Sequence, residues 1–327
     1  MAKRIAKEIF LFLLLILAVS FISFLLLDLS PIDPIASFAR ARSVGLSPEA
    51  KQELIKVWGL DQPLIARYFT WLLNLFRGDL GISNIYGRKV IDIIGEGFSR
   101  SILLMAIAWI FQGIIGIWLG IVAGANQGKI KDKIIKAYAI IFASTPSFWV
   151  GILLIIVFSL KLKLFPSSMG SPVGVLREDI TLADSFKHLV LPALTLVLVG
   201  VSNLILHTRS KVIDILNSDY VLYAKARGMK QGKILNKFAF KNLILPGLSL
   251  LFTSFSELFS GTVLVENVFN YPGIGGLTVE AGLRGDAPLL LGLVLFSTIF
   301  VYVGNRICDL LYLVIDPRLR GQDETRK

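Results

Sequence analysis

The chain has 327 residues, 54% hydrophobic and only 17% charged, with a net charge of +11. Soluble domains carry about a quarter charged residues, and here the apolar residues gather in uncharged blocks long enough to cross about 30 Å of hydrocarbon as helices, which argues against a soluble fold. The single cysteine, Cys308, excludes an internal disulfide and a cysteine-based metal site, and two histidines, His188 and His207, argue against a histidine-ligated metal.

The first block, 9–27, follows Lys3, Arg4 and Lys7. It is too long for the apolar part of a signal peptide and no small-residue cleavage site follows, so it reads as an uncleaved first helix. The next segment, 28–100, is external. Within it, Pro48 to Trp58 has helical spacing with Ser47 as N-cap and Gly59 as stop, and residues 64–76 carry a second apolar stripe. Such helices either cover the mouth of the bundle or dock a partner. Further blocks at 101–125, 137–160, 189–208, 243–265 and 288–315 predict five more spans, hence one membrane domain, 1–327, of six helices.

Lys and Arg near helix ends set orientation. With the N-terminus inside, pieces 1–8, 126–136, 207–242 and 316–327 hold 19 Lys and Arg against seven Asp and Glu. The external pieces 28–100, 161–188 and 266–287 hold 14 of each. The basic excess therefore reports topology, with both termini cytoplasmic, and gives no support to nucleic-acid binding.

The cytoplasmic loop 209–242 and its exit into the fifth span hold the most informative stretch, Ser218 to Pro246. Asp219 reads as an N-cap, Tyr220 to Arg227 as two helical turns, and Gly228 as the left-handed residue that ends them. A second helix starts near Lys230, with Lys233, Lys237 and Lys241 as a basic stripe. Pro246 opens the next span, where a missing N–H costs little. By pattern alone this is either a helix–hinge–helix device that lodges in a partner's groove or a basic loop obeying the positive-inside rule.

This segment resembles the coupling loop (the "EAA" loop) of ABC importer permeases, in the form used by the dipeptide/oligopeptide/nickel family. Asp219-Tyr220-Val221, Ala224, Ala226, Gly228, Asn242 and Leu245-Pro246 match that pattern. Leu222 and Tyr223 depart from the general Glu and Ala, and the Gly-to-Pro separation is longer than in sugar importers; both point to the peptide branch. The resemblance covers nearly the whole chain: Gly78 to Ser83, Ile117 to Gly124, Thr145 to Trp149, His188 to Thr195, Val265 to Phe269, Tyr271 to Gly275, Asp309 to Tyr312 and Asp316 to Arg320 fall in the family's order. It implies an all-α, six-helix bundle of the type I importer permease kind in a bacterial or archaeal cytoplasmic membrane. It also implies a second homologous permease, two cytoplasmic ATPase subunits carrying ATP and Mg²⁺, and an external substrate-binding protein. The coupling residues implied are Asp219, Tyr220, Ala224, Ala226, Arg227, Gly228, Lys233, Phe238 and Pro246. Di- and oligopeptides are the default substrates; nickel complexes and oligosaccharides stay open. The chain itself binds no cofactor and performs no catalysis: it has no phosphate-binding loop, since Gly228 to Ile234 has the wrong spacing and places Ile234 where Ser or Thr should hold Mg²⁺.

Other residues keep two readings. Pro146 interrupts the third span as a packing kink or as the flexible point of a gating helix; Ser144 and Thr145 can satisfy the carbonyl it frees. Glu257 is the only acid deep in the fifth span, sharing a face with Ser254 and Ser260 by i±3 spacing. It lines the translocation path, pairs with Arg306, or is a protonated carboxyl bonded to a carbonyl. Arg306 and Asp309 read as a local ion pair. Pro272, Gly273, Gly275 and Gly276 allow a tight turn with positive φ, or close backbone approach, at an external gate or binding-protein contact. An ion- or proton-coupled secondary transporter working without an ATPase, with Glu257 as its relay, is the alternative; dependence on partners discriminates the two.

Overall fold

A bilayer offers backbone amides no water, so a spanning segment must satisfy them within itself, as a helix does. The computed structural model describes residues 2–41, 45–167, 181–234, 247–248 and 250–315. Among them the fold is all-helical apart from one isolated bridge, Ile82 to Lys89. In chain order the helices are α1 (Ala2–Asp28), α2 (Pro34–Ala41), α3 (Pro48–Val57), α4 (Leu64–Phe76), α5 (Val90–Ala125), α6 (Ile130–Ala143) and α7 (Ser147–Leu154), which runs into a π-helical stretch (Ile155–Lys161). They continue as α8 (Leu182–Leu216), α9 (Asp219–Ala226), α10 (Gln231–Ile234), α11 (Phe255–Val268), α12 (Ile274–Arg284) and α13 (Ala287–Ile315).

Four described helices, α1, α5, α8 and α13, are long and apolar enough to cross a membrane; α6 and α7 with its π-helical tail make a fifth span if counted as one. That pair is bent by 106° within the span expected over 137–160, at the Pro146 interruption. The cause is local. Pro146 donates no N–H and forces its predecessor out of helical geometry, and the Thr145 hydroxyl bonds the Ile141 carbonyl at 2.7 Å. In the fifth predicted span, residues 247–248 and 250–253 are helical and Ser254 interrupts the helix before α11; the rest of its first half lies outside the described residues.

α5 starts at Val90 rather than near 101. The stretch before Ser101 holds Asp92 and Glu96, so hydropathy hides it, but Val90, Ile93 and Ile94 form one buried face against Ile274, Leu289 and Leu293. α8 likewise starts before 189, at a capping box in which the Thr181 side chain accepts from the Asp184 N–H at 3.2 Å. In α3, Ser47 caps through the Ala50 N–H at 3.2 Å and Gly59 ends the turn with φ +64.

The contacts group the chain into two compact units. In the unit formed by Met1–Ser101 and Pro272–Tyr302, Asp286 is fully buried and caps α13 by accepting from the Leu289 N–H at 3.2 Å. The same carboxylate accepts from the Ser83 hydroxyl at 2.5 Å and the Ile85 N–H at 3.0 Å, anchoring the loop 77–89. The Tyr86 hydroxyl donates to Glu280 at 2.6 Å; burial, then that bond, raises its pKa above the usual phenol value. In the unit formed by Ile102–Tyr271 and Val303–Lys327, Gly116, Gly120 and Gly124 of α5 lie one turn apart against Leu204, Thr208 and Val212 of α8. A Cβ at Gly120 would sit 2.5 Å from the Thr208 Cβ and 3.0 Å from the Ile205 carbonyl, which is the close approach that small residues permit between membrane helices. Arg209 of α8 grips Asp132 of α6 with two bonds of 2.5 and 2.8 Å, and Asp132 also accepts from the Gly128 N–H at 2.8 Å.

Gly120→Ala is expected to destabilise the chain by about 1–3 kcal/mol, because neither a Cβ nor a backbone oxygen can swing aside. Gly95→Ala, with nothing within 4 Å of the added carbon, should leave the thermal midpoint in detergent unchanged or raised; equal behaviour of the two variants would refute the close-packing account. Asp286→Ala leaves a buried hydroxyl and two N–H groups without their acceptor, at about 1–3 kcal/mol for each group left unsatisfied. Hydrogen exchange at Ile85 and Leu289 should accelerate, and protection equal to the parent chain would show that Asp286 does not hold this loop.

Candidate functional site

Two features of the second unit can do mechanical and binding work. The first is the elbow after α8. Asn217 and Ser218 turn the chain, Ser218 takes extended geometry and its hydroxyl bonds the Ile215 carbonyl at 2.6 Å. Ser218 is therefore the N-cap, and Asp219, expected there, is the first helical residue instead. Its carboxylate still lies at the positive end of the helix. Two residues of α9, Val221 and Ala224, are buried and seat it on the fold.

The helix ends in a complete Schellman motif: the Gly228 N–H donates to the Lys225 carbonyl at 2.9 Å and the Met229 N–H to the Ala224 carbonyl at 3.1 Å, with Gly228 at φ +78. Lys225 also donates to the Leu216 carbonyl at 3.3 Å, tying α9 back to the end of α8. Arg227 stacks over Tyr223 at 5.7 Å. Asp219, Tyr220, Ala226, Arg227, Gly228 and Lys233 are exposed, and Ile234 anchors α10. Phe238 and Pro246, with Lys237, Lys241, Asn242 and Leu245, lie outside the described residues.

Sequence reading left Leu222 and Tyr223 off the site, although both are more than half exposed. Together with Tyr220 they give a short helix a larger apolar surface than its own packing uses. The signal was available: Val221 and Ala224 already meet the burial needs of two turns.

The second feature is a cavity of about 500 Å³ among α5, the α6–α7 break, α8 and α11. Leu196, Gly200, Asn203 and His207 line it from one face of α8, and Ser254 and Glu257 from the start of α11. Gln112 enters from α5, bonding the Leu196 carbonyl at 3.0 Å and lying so close that a Cβ at Gly200 would sit 2.2 Å from its amide nitrogen. Among the described residues Glu257 makes no ion pair, and Arg306 pairs with Asp309 at 3.6 Å. Pro146 forms the break whose flanking residues, Ala143 and Ser147, reach the cavity; Pro146 itself and Ser260 are not among its lining residues. Gln112 and Asn203 were missed as lining groups. Each is the one amide in its apolar block, and that was the available sign.

In the first unit, Gly273 is the extended N-cap of α12 and the Ile274 N–H donates to the Ser101 hydroxyl at 2.8 Å. The Pro272–Gly276 segment thus opens a half-helix. None of Gly273, Gly275 and Gly276 has positive φ; Gly273 and Gly275 are buried instead, and the left-handed glycine of this region is Gly285, at φ +69 after α12.

Residues 116–321 match the family described as the binding-protein-dependent transport system inner membrane component. The chain is 30% identical over 320 residues to the oligopeptide transport system permease protein AppB of Bacillus subtilis, covering 98% of this chain and 99% of that one. It is 34% identical to a putative peptide transport system permease protein of Brucella abortus (97% and 98% covered) and 29% identical to the dipeptide transport system permease protein DppB of Escherichia coli (93% and 94%). In structure it resembles a chain from the inward-facing conformations of the MetNI methionine ABC transporter, with a TM-score of 0.54 at 14% identity, covering 69% of this chain and 97% of that one; this likeness shows the fold. The reading as a self-sufficient secondary transporter is overturned by these matches. The chain belongs to the binding-protein-dependent transport system inner membrane components, the multi-pass membrane subunits of ABC importers.

Proposed function

We propose that this chain forms half of a peptide-translocating pathway and transmits the motion of cytoplasmic ATPases through α9 and Gly228. The observation that carries this reading is the elbow: an exposed two-turn helix, tied to the end of a long span by Lys225 and closed at its far end by a Schellman joint, in a chain whose full-length relatives are named as peptide permeases. Six spans with both termini cytoplasmic fit the charge asymmetry. The family supports an external binding protein and an ATPase as partners; a second permease, two ATPase subunits, and ATP with Mg²⁺ held on those subunits complete the assembly, in a bacterial or archaeal cytoplasmic membrane.

In this mechanism, closure of the ATPases pushes α9 as a lever. The rigid joint to α8 carries the push to the face bearing Gly200, Asn203 and His207, and through the Arg209–Asp132 grip to α6 and the break at Pro146. The cavity, with Glu257 and Ser254 on its wall, alternates between the two sides; Ser260 lies one turn further along α11. Pro272, Gly273, Gly275 and Gly276 open the half-helix on the external side. The chain performs no chemistry.

The complex reconstituted with its ATPases and a loaded binding protein should show stimulated ATP hydrolysis that Gly228→Pro abolishes and Gly228→Asn largely keeps, because Asn tolerates positive φ and Pro does not. Stimulation undiminished in the proline variant would mean that the joint lies elsewhere, and transport by the chain expressed alone would sink the importer reading. Glu257→Gln removes the carboxylate of the cavity wall. A charge-assisted bond is worth about 1.5–3 kcal/mol, so uptake of peptides should fall by roughly tenfold or more or shift in charge preference; unchanged uptake and preference would place Glu257 off the path.

A further inference from the structure

We infer that α4 is an interfacial helix whose outer stripe lies in the acyl–headgroup boundary of the external leaflet, with lipid as its partner. Helix α4 has three sides. Tyr68, Trp71 and Leu72 pack against Phe24 and Leu27 of α1. Arg67, Thr70 and Asn74 line an external cavity of about 940 Å³, where Arg67 pairs with Asp28 at 2.7 Å. Ile65, Phe69, Leu73 and Phe76, spaced i, i+4, i+8 and i+11, form a third side that is 57–77% exposed.

Depth identifies what covers this third side. The Tyr68 hydroxyl sits 2.9 Å from that of Ser20, while Arg67 reaches Asp28. The helix therefore crosses α1 between Ser20 and Asp28, within about 12 Å of the polar end of the span at 1.5 Å per residue. That is the outer leaflet of a bilayer with about 30 Å of hydrocarbon. The α1 helix on which α4 packs is itself largely bare, its most apolar stretch only 11% buried, and the stripe of α4 lies apart from the polar side that lines the cavity. An amphipathic helix with a wet side and an apolar side at that depth rests about 5–10 Å into the interface. The sequence left mouth cover and partner docking open for segment 28–100; neither accounts for four large apolar side chains at acyl depth on the side away from the external cavity.

The test is spin labelling of the full chain, in its assembled complex, in phosphatidylcholine–phosphatidylglycerol vesicles. Single cysteines replace Phe69, Leu73 or, as a reference on α3, Glu53 in a Cys308→Ser background. Labels at 69 and 73 should collide with oxygen in preference to a water-soluble nickel chelate, at about 5–10 Å below the phosphates, while the label at 53 shows the reverse. Labels at 69 and 73 as open to the chelate as that at 53 would overturn the inference. Immobile labels reached by neither reagent would overturn it too, by showing a protein partner on the stripe.

Discussion

The close approach of α5 to α8 is the constraint on which the rest of the second unit depends. Between membrane helices there is no hydrophobic gain from association, because lipid tails are as apolar as leucine, so contact rests on packing and on the few polar bonds available. Gly116, Gly120 and Gly124 supply a smooth strip that admits Leu204, Thr208 and Val212 to the α5 backbone. With α8 fixed there, its opposite features acquire meaning. One face borders the cavity, Arg209 grips α6, and its last turn receives Lys225 from the elbow.

The cavity lies beside two broken helices and one polar crossing between helices. Pro146 and Ser254 interrupt their spans, and Gln112 spends its amide on a carbonyl of the neighbouring helix. Irregular backbone is costly against lipid and acceptable where it faces protein or a water-filled space. The breaks at Pro146 and Ser254 fall beside the cavity, where side chains that lipid would reject find protein or open space.

Stiffness at the elbow has the complementary logic. The lever role proposed for α9 requires that it not bend between load and pivot. Helix α9 is short, and isolated short helices are marginal, so its rigidity comes from elsewhere: two buried residues beneath it, a Schellman closure after its last turn, and a lysine of that turn tethered back to the end of α8. Gly228 is the one residue at that joint whose backbone requires a left-handed conformation, which is why it marks the joint in the sequence as well.

The sequence by itself determined the class, the elbow and the family. Long uncharged blocks are read as helices in a bilayer, a glycine after two helical turns as the cap that ends them, and the order of short motifs from Gly78 to Arg320 identified the permease type. It singled out Glu257 and Ser254 but left the role of Glu257 open; both line the cavity. Tertiary structure decided what depends on neighbours: the start of α5 at Val90, hidden by Asp92 and Glu96 until Ile274 and Leu289 bury the other face; the 106° bend at Pro146; the arrival of Gln112, Asn203 and His207 at one cavity. Hydropathy averages over a helix and has no direction across it. Which side of each helix meets protein, water or lipid is fixed only when the helices pack.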